Sequence, residues 1–372
     1  MDLSLSETQK SIQAAFHAFV EQEVRPQARE LDEKPTFPRE LFRKAGQLGV
    51  FGMRYPEPEG SGADTVSYVL AMEELARGSL AVAAVCAMQS LMGTWFVHRF
   101  ARGEVRERLL GPALRGDLVG AICMTEPDAG SDLAAIATRA HEEDGRFLLT
   151  GRKTWVTSAP VADMFTVFAR TGDGELSVFL VERRAAGLEI GRDIDKMGVR
   201  ASLTSEVGFE RTPATCLLGE LHRGMAYLRE ILAEIRVMTA ALAVGVGRAA
   251  LEDTVAYAAE RRQFGRPINR FQAIQSHLAE MAVDLEAARR MTYWAAWRND
   301  QGLQNANEAA MAKLFASEAA HRVCDRAARV FASYGYASEY PIQRYLRDVR
   351  FTLIGGGTSE ILRVNIARGL SA

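Results

Sequence analysis

The hydrophobic period of this chain changes twice along its length, and that ordering constrains the fold more than any single motif does. Up to about residue 115, apolar residues recur at helical spacing, with Ile12, Phe16, Phe19 and Val20 on one stripe. Ser6 and Gln9 have the spacing of a capping box that opens this first helix. Pro56, Pro58, Gly60 and Gly62 break the pattern into a loop between Met53 and Asp64. From Val66 to His98 the chain is apolar and Ala-rich and reads as buried helices. Short β-branched and aromatic runs then follow: Leu118–Met124, Arg146–Thr150, Met164–Ala169, Leu176–Val181, Leu188–Ile190 and Glu206–Glu210. Gly, Asp and Pro separate them at the spacing of a sandwich or barrel. From Gly224 the helical period returns, first at Leu228, Ile231, Leu232 and Ile235, then at Ile274, Leu278, Met281 and Leu285. The expected fold is α+β: an N-terminal helical domain over 1–117, a middle β-barrel or sandwich domain over 118–223, and a C-terminal helical bundle over 224–372.

Composition excludes several functions. A net charge of −2 with dispersed Arg argues against a nucleic-acid partner. No apolar run reads as long enough to span a bilayer, and Met1-Asp2-Leu3-Ser4 lacks a secretory leader's basic and apolar regions. Cys86, Cys123, Cys216 and Cys324 are far apart, and the six His show no metal-ligand spacing. The expectation is a cytoplasmic enzyme with no membrane partner and no metal.

Two glycine motifs need weighing. Gly245-Val246-Gly247-Arg248-Ala249-Ala250 fits a dinucleotide fingerprint, but that motif has meaning only after a strand. Here it lies inside a helical pattern, so close packing of small residues is the expected role. Gly355-Gly356-Gly357-Thr358-Ser359-Glu360 is different. Its glycines permit positive φ, Thr358 or Ser359 can cap the following helix, and the free N–H groups suit an anion. A helix-start loop without a ligand is the plainer alternative.

Cys123-Met124-Thr125-Glu126-Pro127-Asp128-Ala129-Gly130-Ser131-Asp132 resembles the first signature of the acyl-CoA dehydrogenase family. Lys153 to Ala159, Lys196 to Thr204, Arg261 to Ile268 with Phe271-Gln272, Glu339 to Arg344 with Arg347-Asp348, and Gly357 to Ile361 resemble its later signatures, in family order and across essentially the whole chain. The resemblance implies an FAD-dependent oxidoreductase of fatty-acid or secondary metabolism, an acyl-CoA dehydrogenase-like fold with a C-terminal four-helix bundle, and α,β-dehydrogenation of a thioester on CoA or an acyl carrier protein. It implies that Met124, Thr125, Gly130, Ser131, Trp155 and Thr157 line the flavin. It further implies that Arg261, Phe264, Gln272 and Arg329 meet a neighbouring subunit's FAD in a homodimer or homotetramer, with Thr358 and Glu360 at the adenine end. Ser131, Arg236, Gly356 and Gly357 would meet substrate. Electrons would pass to an electron-transfer flavoprotein or to oxygen.

The chain departs from that family at one decisive place. Where most members carry the catalytic carboxylate, just before Gly-Thr-Ser, stands Gly356. A second group of members keeps the base on the first long C-terminal helix, directly before an Arg that resembles Arg236; here that position is Ile235. Glu234 is one residue off and is the candidate base, with Glu230 a turn earlier. The plain alternative is a helix carboxylate paired with an Arg. A family member without the dehydrogenase base is the other functional reading: a flavin monooxygenase, a desulfinase-like enzyme, or a non-catalytic subunit of a mixed tetramer.

Overall fold

The computed structural model describes residues 4–172 and 175–370. Met1 to Leu3, on which the reading of the chain's start partly rests, lie outside the described residues. Among the described residues, seven α-helices come first: α1 (Glu7–Phe19), α2 (Arg25–Glu33), α3 (Arg39–Gln47), α4 (Thr65–Gly78), α5 (Leu80–Met88), α6 (Trp95–Phe100) and α7 (Gly103–Leu114). The capping box forms as the spacing requires: Gln9 N–H donates to Ser6 Oγ at 3.2 Å, and Ser6 N–H to Gln9 Oε1 at 3.0 Å. Every residue of α4 is buried, so it is the central helix of this part. The run Leu80–Phe100 is long and apolar enough to cross a membrane, where the sequence reading found no such run; 94% of it is buried in the protein, as for a core helix.

A wide π turn, Gln89–Gly93, interrupts that run. It turns Gln89 toward the sheet, where Nε2 donates to Ala113 and Leu118 carbonyls and Oε1 accepts from Gly120 N–H. Gly93 and Gly120 then touch backbone to backbone, since a Cβ on Gly120 would stand 2.5 Å from Gly93 Cα. The helical part and the sheet are thus locked at the strand that carries the first motif.

Among the described residues, eight strands form one sheet: β1 (Gly120–Cys123), β2 (Arg139–Glu143), β3 (Arg146–Thr157), β4 (Met164–Thr171), β5 (Glu175–Glu182), β6 (Leu188–Asp193), β7 (Thr204–Pro213) and β8 (Cys216–Leu217). Their order is β6-β7-β3-β2-β4-β5-β8, with β1 parallel to β4. β4 and β5 are almost wholly buried, which explains their continuous apolar runs. β2 was absent from the sequence reading because Arg-Ala-His-Glu-Glu buries only Ala140.

The chain then enters α8 (Gly224–Glu260), a two-stranded turn of β9 (Arg262–Gln263) and β10 (Arg266–Pro267), α9 (Gln272–Asp300), α10 (Ala306–Phe331), α11 (Ile342–Asp348) and α12 (Ser359–Leu370). α8, α9 and α10 pack on one another and α12 on α10, while α4 lies against α8 and α9. The Gly245 motif lies inside α8, where a Cβ would meet Glu73 O at 2.3 Å. Its glycine admits α4 and binds no dinucleotide phosphate.

Candidate active site

The first two motifs are tied at the backbone. Thr154 N–H donates to Thr125 O at 2.9 Å, so Met124-Thr125, just past the end of β1, stand beside Trp155-Thr157 on β3. A buried ion pair braces the junction: Lys153 Nζ lies 2.8 Å from Glu126 Oε1 and 3.1 Å from the Met124 carbonyl. Glu126 also accepts from Ala137 N–H at 2.6 Å and Thr138 N–H at 2.9 Å. Burial pushes the Lys153 ammonium below its usual range against the pull of Glu126. Burial also opposes the Glu126 charge, but the Lys153 and Thr138 hydrogen bonds outweigh it and hold the carboxyl low. Both residues sit inside recognised motifs, yet their pairing is not visible in the sequence, because 27 positions separate them.

Trp155 is the conspicuous side chain here. Its φ is +56°, and it is 57% exposed. A bulky residue is held in left-handed backbone only when its surroundings fix it there. Ser158, at φ +66°, donates to Leu203 O at 2.7 Å and fixes the strand beyond it. An indole this exposed, on the strand tied to the turn that leads to Gly130, where a Cβ would meet only Thr125 Cγ2 at 4.0 Å, offers apolar surface to a planar ring. These residues fit a flavin.

The third motif is joined to the C-terminal helices. Gly198 lies so close to α11 that a Cβ would meet Arg347 O at 2.5 Å. Asp348 accepts from Val199 N–H at 2.6 Å, and Arg347 pairs with Asp32 on α2 and donates to Met197 O at 2.7 Å. Burial pushes the Asp348 carboxyl up to about 6.

The glycine loop packs on the C-terminal helices. Gly356 has φ +72° and Gly357 φ +105°. A Cβ on Gly356 would lie 3.0 Å from Thr239 Oγ1 and 3.8 Å from Ile235 Cγ2. The loop therefore faces the Ile235–Thr239 stripe of α8. The N–H groups of Gly356 and Gly357 donate to no backbone carbonyl among the described residues. Thr358 caps α12 by accepting from Ile361 N–H at 3.3 Å, while the Ser359 hydroxyl is buried without a partner. Lys313 of α10, fully buried, donates to Gly357 O at 2.6 Å, and burial depresses it to about 8. Arg236 is 7% exposed; its Nη1 reaches Ala306 O at 3.4 Å and its Nε has no partner.

Glu234 lies on a different stripe. At about 100° per residue, positions 234, 241 and 245 share the face that packs on α4, and 235 and 239 the face toward the loop. Glu234 forms an ion pair with Arg54, whose guanidinium stands 4.8 Å from the centre of the Tyr68 ring on α4. Burial works against the Arg54 charge, but the Glu234 carboxylate holds its pKa above the ordinary guanidinium value. Glu230 pairs with Arg99 at 2.7 Å.

The remaining motif residues lie elsewhere. From Ile235 to Arg261 the helix rises about 39 Å at about 1.5 Å per residue. Arg261 is a cation over Tyr334, 5.4 Å from its ring centre. Phe264, at φ +50°, is 93% exposed, and Gln272 opens α9. Arg329 pairs with Asp325 at 2.7 Å on the rim of a cleft of about 280 Å³ between α9 and α10. Glu360 is exposed, its carboxyl lowered by hydrogen bonds from its own backbone and from Thr358. The fold does not bring Arg261, Phe264, Gln272 or Arg329 to the Gly356 loop of the same chain.

A helical–sheet–helical chain with an exposed indole on the sheet and a glycine loop packed on the C-terminal bundle is the arrangement to set beside known proteins. The N-terminal, middle and C-terminal domain models of acyl-CoA dehydrogenase match residues 6–117, 121–212 and 222–371. The chain belongs to the acyl-CoA dehydrogenase family. It is 56% identical to the benzylmalonyl-CoA dehydrogenase of Aromatoleum aromaticum over 381 residues, with 100% of both chains covered. It is 40% identical to the 3-(aryl)acrylate reductase of Clostridium sporogenes, over 98% of this chain and 99% of that one. The butyryl-CoA dehydrogenase structure from Megasphaera elsdenii superposes with a TM-score of 0.96 at 34% identity, covering 100% of both. FAD complexes occur among the solved neighbours. The chain is an FAD-dependent dehydrogenase of acyl thioesters.

Proposed function

We propose that the substrate is a 2-carboxyacyl-CoA, an aryl- or alkyl-substituted malonyl thioester, and that loss of its C2 carboxylate as CO2 takes the place of proton removal. One observation carries this reading: the loop position facing Ile235 and Thr239 is Gly356, with no side chain to accept a proton, while Glu234 faces α4 and is held by Arg54. The 56% identity to a benzylmalonyl-CoA dehydrogenase supports it, because a malonyl thioester already bears a carboxylate on C2.

The chemistry balances without a base. The C2–carboxylate bond breaks, CO2 departs, and the bonding pair delocalises into the thioester carbonyl as an enolate. That pair then forms the C2–C3 double bond as a hydride leaves C3, giving a 2,3-unsaturated thioester. FAD, when bound, supplies the hydride acceptor. The chain's part is to hold the carbonyl so that the developing negative charge meets donors, for which the unused N–H groups of Gly356 and Gly357 are suited. Trp155, Met124, Thr125, Gly130, Ser131 and Thr157 would hold the flavin ring. With Arg261, Phe264, Gln272 and Arg329 remote from their own loop, the reading includes a homotetramer in which they meet a partner's FAD, with Thr358 and Glu360 toward the adenine. An aromatic side chain as exposed as Phe264 is consistent with burial against a second copy. The enzyme would work in the cytoplasm, in keeping with four unpaired cysteines. Electron-transfer flavoprotein or oxygen would take the electrons, and CoA rather than a carrier protein would bear the acyl group.

The competing reading keeps Glu234 as base on an ordinary acyl-CoA, favoured by its place one residue from Ile235. Glu234→Gln separates the two. Losing a general base costs roughly 10²- to 10⁴-fold in rate. The decarboxylative reading expects benzylmalonyl-CoA turnover to stay within about tenfold of wild type, since Gln still accepts from Arg54. A loss of about a thousandfold with retained FAD would return the base role to Glu234.

A further inference from the structure

The side chain that Gly356 lacks would head into α8. The three atoms nearest its first carbon are Thr239 Oγ1 at 3.0 Å, Thr239 Cβ at 3.7 Å and Ile235 Cγ2 at 3.8 Å. One hydroxyl and two apolar groups thus face the glycine, and none of the three carries charge. The charged side chains of this region are engaged elsewhere: Glu234 with Arg54, Lys313 with Gly357 O, and Arg236 Nη1 with Ala306 O. Thr239 is 2% exposed. Its hydroxyl donates to Ile235 O at 2.8 Å, one turn back along α8. Inside a helix that carbonyl also accepts the Thr239 N–H, so the hydroxyl can turn away without orphaning it. Thr239 therefore holds a buried donor whose present bond is dispensable, aimed at the one position where the loop has no side chain.

We infer that the Thr239 hydroxyl seats the substrate's C2 carboxylate against Ile235, on the side of the loop that the missing Gly356 side chain leaves open. The inference rests on the malonyl-thioester reading above and names the residue that recognises the leaving group. The N–H groups of Gly356 and Gly357 are suited to the thioester carbonyl, while Thr239 lies on the α8 side of the same glycine. Two separate sets of donors would hold carbonyl and carboxylate apart. The C2–carboxylate bond must stand out of the thioester plane for its electron pair to enter the carbonyl π system, and a carboxylate seated toward α8 can do so. The chemistry of the seat also fits. One neutral donor beside methyl groups directs a carboxylate without neutralising it, and a charge is poorly solvated in such a place. The departing CO2 is neutral and carries no such penalty. Thr239 takes no proton from the substrate; it fixes where the carboxylate points.

Malonyl-CoA and acetyl-CoA differ only in the C2 carboxylate, and neither has a C3 hydrogen to lose. Their dissociation constants are measured with the FAD-loaded enzyme from the change in flavin absorbance. Thr239→Val removes the hydroxyl and keeps the shape. It should weaken malonyl-CoA about tenfold or more, the scale of one hydrogen bond to a charged group, and leave acetyl-CoA nearly unchanged. Thr239→Ser keeps a donor and should hold the malonyl-CoA constant within about threefold of wild type. A role in packing alone would move both ligands together and would not be rescued by Ser. Should the Val variant fail to hold FAD, Thr239→Ala makes the same comparison. An unchanged ratio of the two constants in the variant without the hydroxyl, or a Ser variant as weak for malonyl-CoA as that one, overturns the inference. Failure of the malonyl-thioester reading itself shows separately, as oxidation of 3-phenylpropanoyl-CoA by wild type without CO2.

Discussion

Gly356 is where a single side chain decides the chemistry. Its φ of +72° suits glycine, and Thr239 Oγ1 crowds any Cβ at 3.0 Å. Gly356→Ala should therefore cost about 1–2 kcal/mol from backbone strain alone, read as a lower melting temperature and easier loss of FAD. An unchanged melting temperature would mean that the loop is free to adopt another conformation. The importance of this glycine was legible in the sequence, because the motif around it resembles a family in which a carboxylate stands there. Its neighbours were not. Arg54 lies 180 positions from Glu234, and nothing in Met53-Arg54-Tyr55 announces that partner. Lys313 sits in an Ala-rich helix where a lone Lys reads as solvent-facing; only the docking of α10 on the loop buries it.

At the scale of elements, α8 does three jobs with three faces. One stripe meets α4 through Gly245, one meets the glycine loop through Ile235 and Thr239, and Arg236 turns toward α10. Gly245→Val should be among the most damaging substitutions distant from the flavin, because the nearest atom to a Cβ is the Glu73 carbonyl at 2.3 Å, which cannot rotate away. Overpacking at such a contact costs about 1–3 kcal/mol, measurable by chemical denaturation of the FAD-bound protein. Wild-type stability in that variant would contradict the close α4–α8 approach. The helical stripes were legible because burial and period coincide. Two strands were not: β2 is charged and mostly exposed, and β8 spans two residues. Their place comes from pairing with β3, β4 and β5 rather than from their own pattern.

Across the whole molecule, the motifs are tie points between parts distant in sequence. Asp348 on α11 caps Val199, and Arg347 reaches Asp32 on α2, so one short helix joins the start, the sheet and the bundle. Burial raises the Asp348 carboxyl from 3.8 to about 6, so folding favours its protonated form. That contribution is fully present below the unfolded value near 4 and is lost as pH rises through about 6. Asp348→Asn keeps an acceptor for Val199 without the buried charge. The variant should gain stability relative to wild type as pH goes from about 4 to about 7, read as a growing difference in melting temperature. A difference constant with pH would show that folding does not raise the Asp348 carboxyl.

The central claim is that a leaving carboxylate replaces the missing base. Anaerobic mixing of the FAD-loaded enzyme with benzylmalonyl-CoA, and separately with 3-phenylpropanoyl-CoA, tests it most directly, with bleaching of the flavin and CO2 release followed together. The account predicts bleaching with one CO2 per flavin from the first thioester and none from the second. Comparable bleaching by 3-phenylpropanoyl-CoA, or bleaching by benzylmalonyl-CoA with the carboxylate retained, would contradict it.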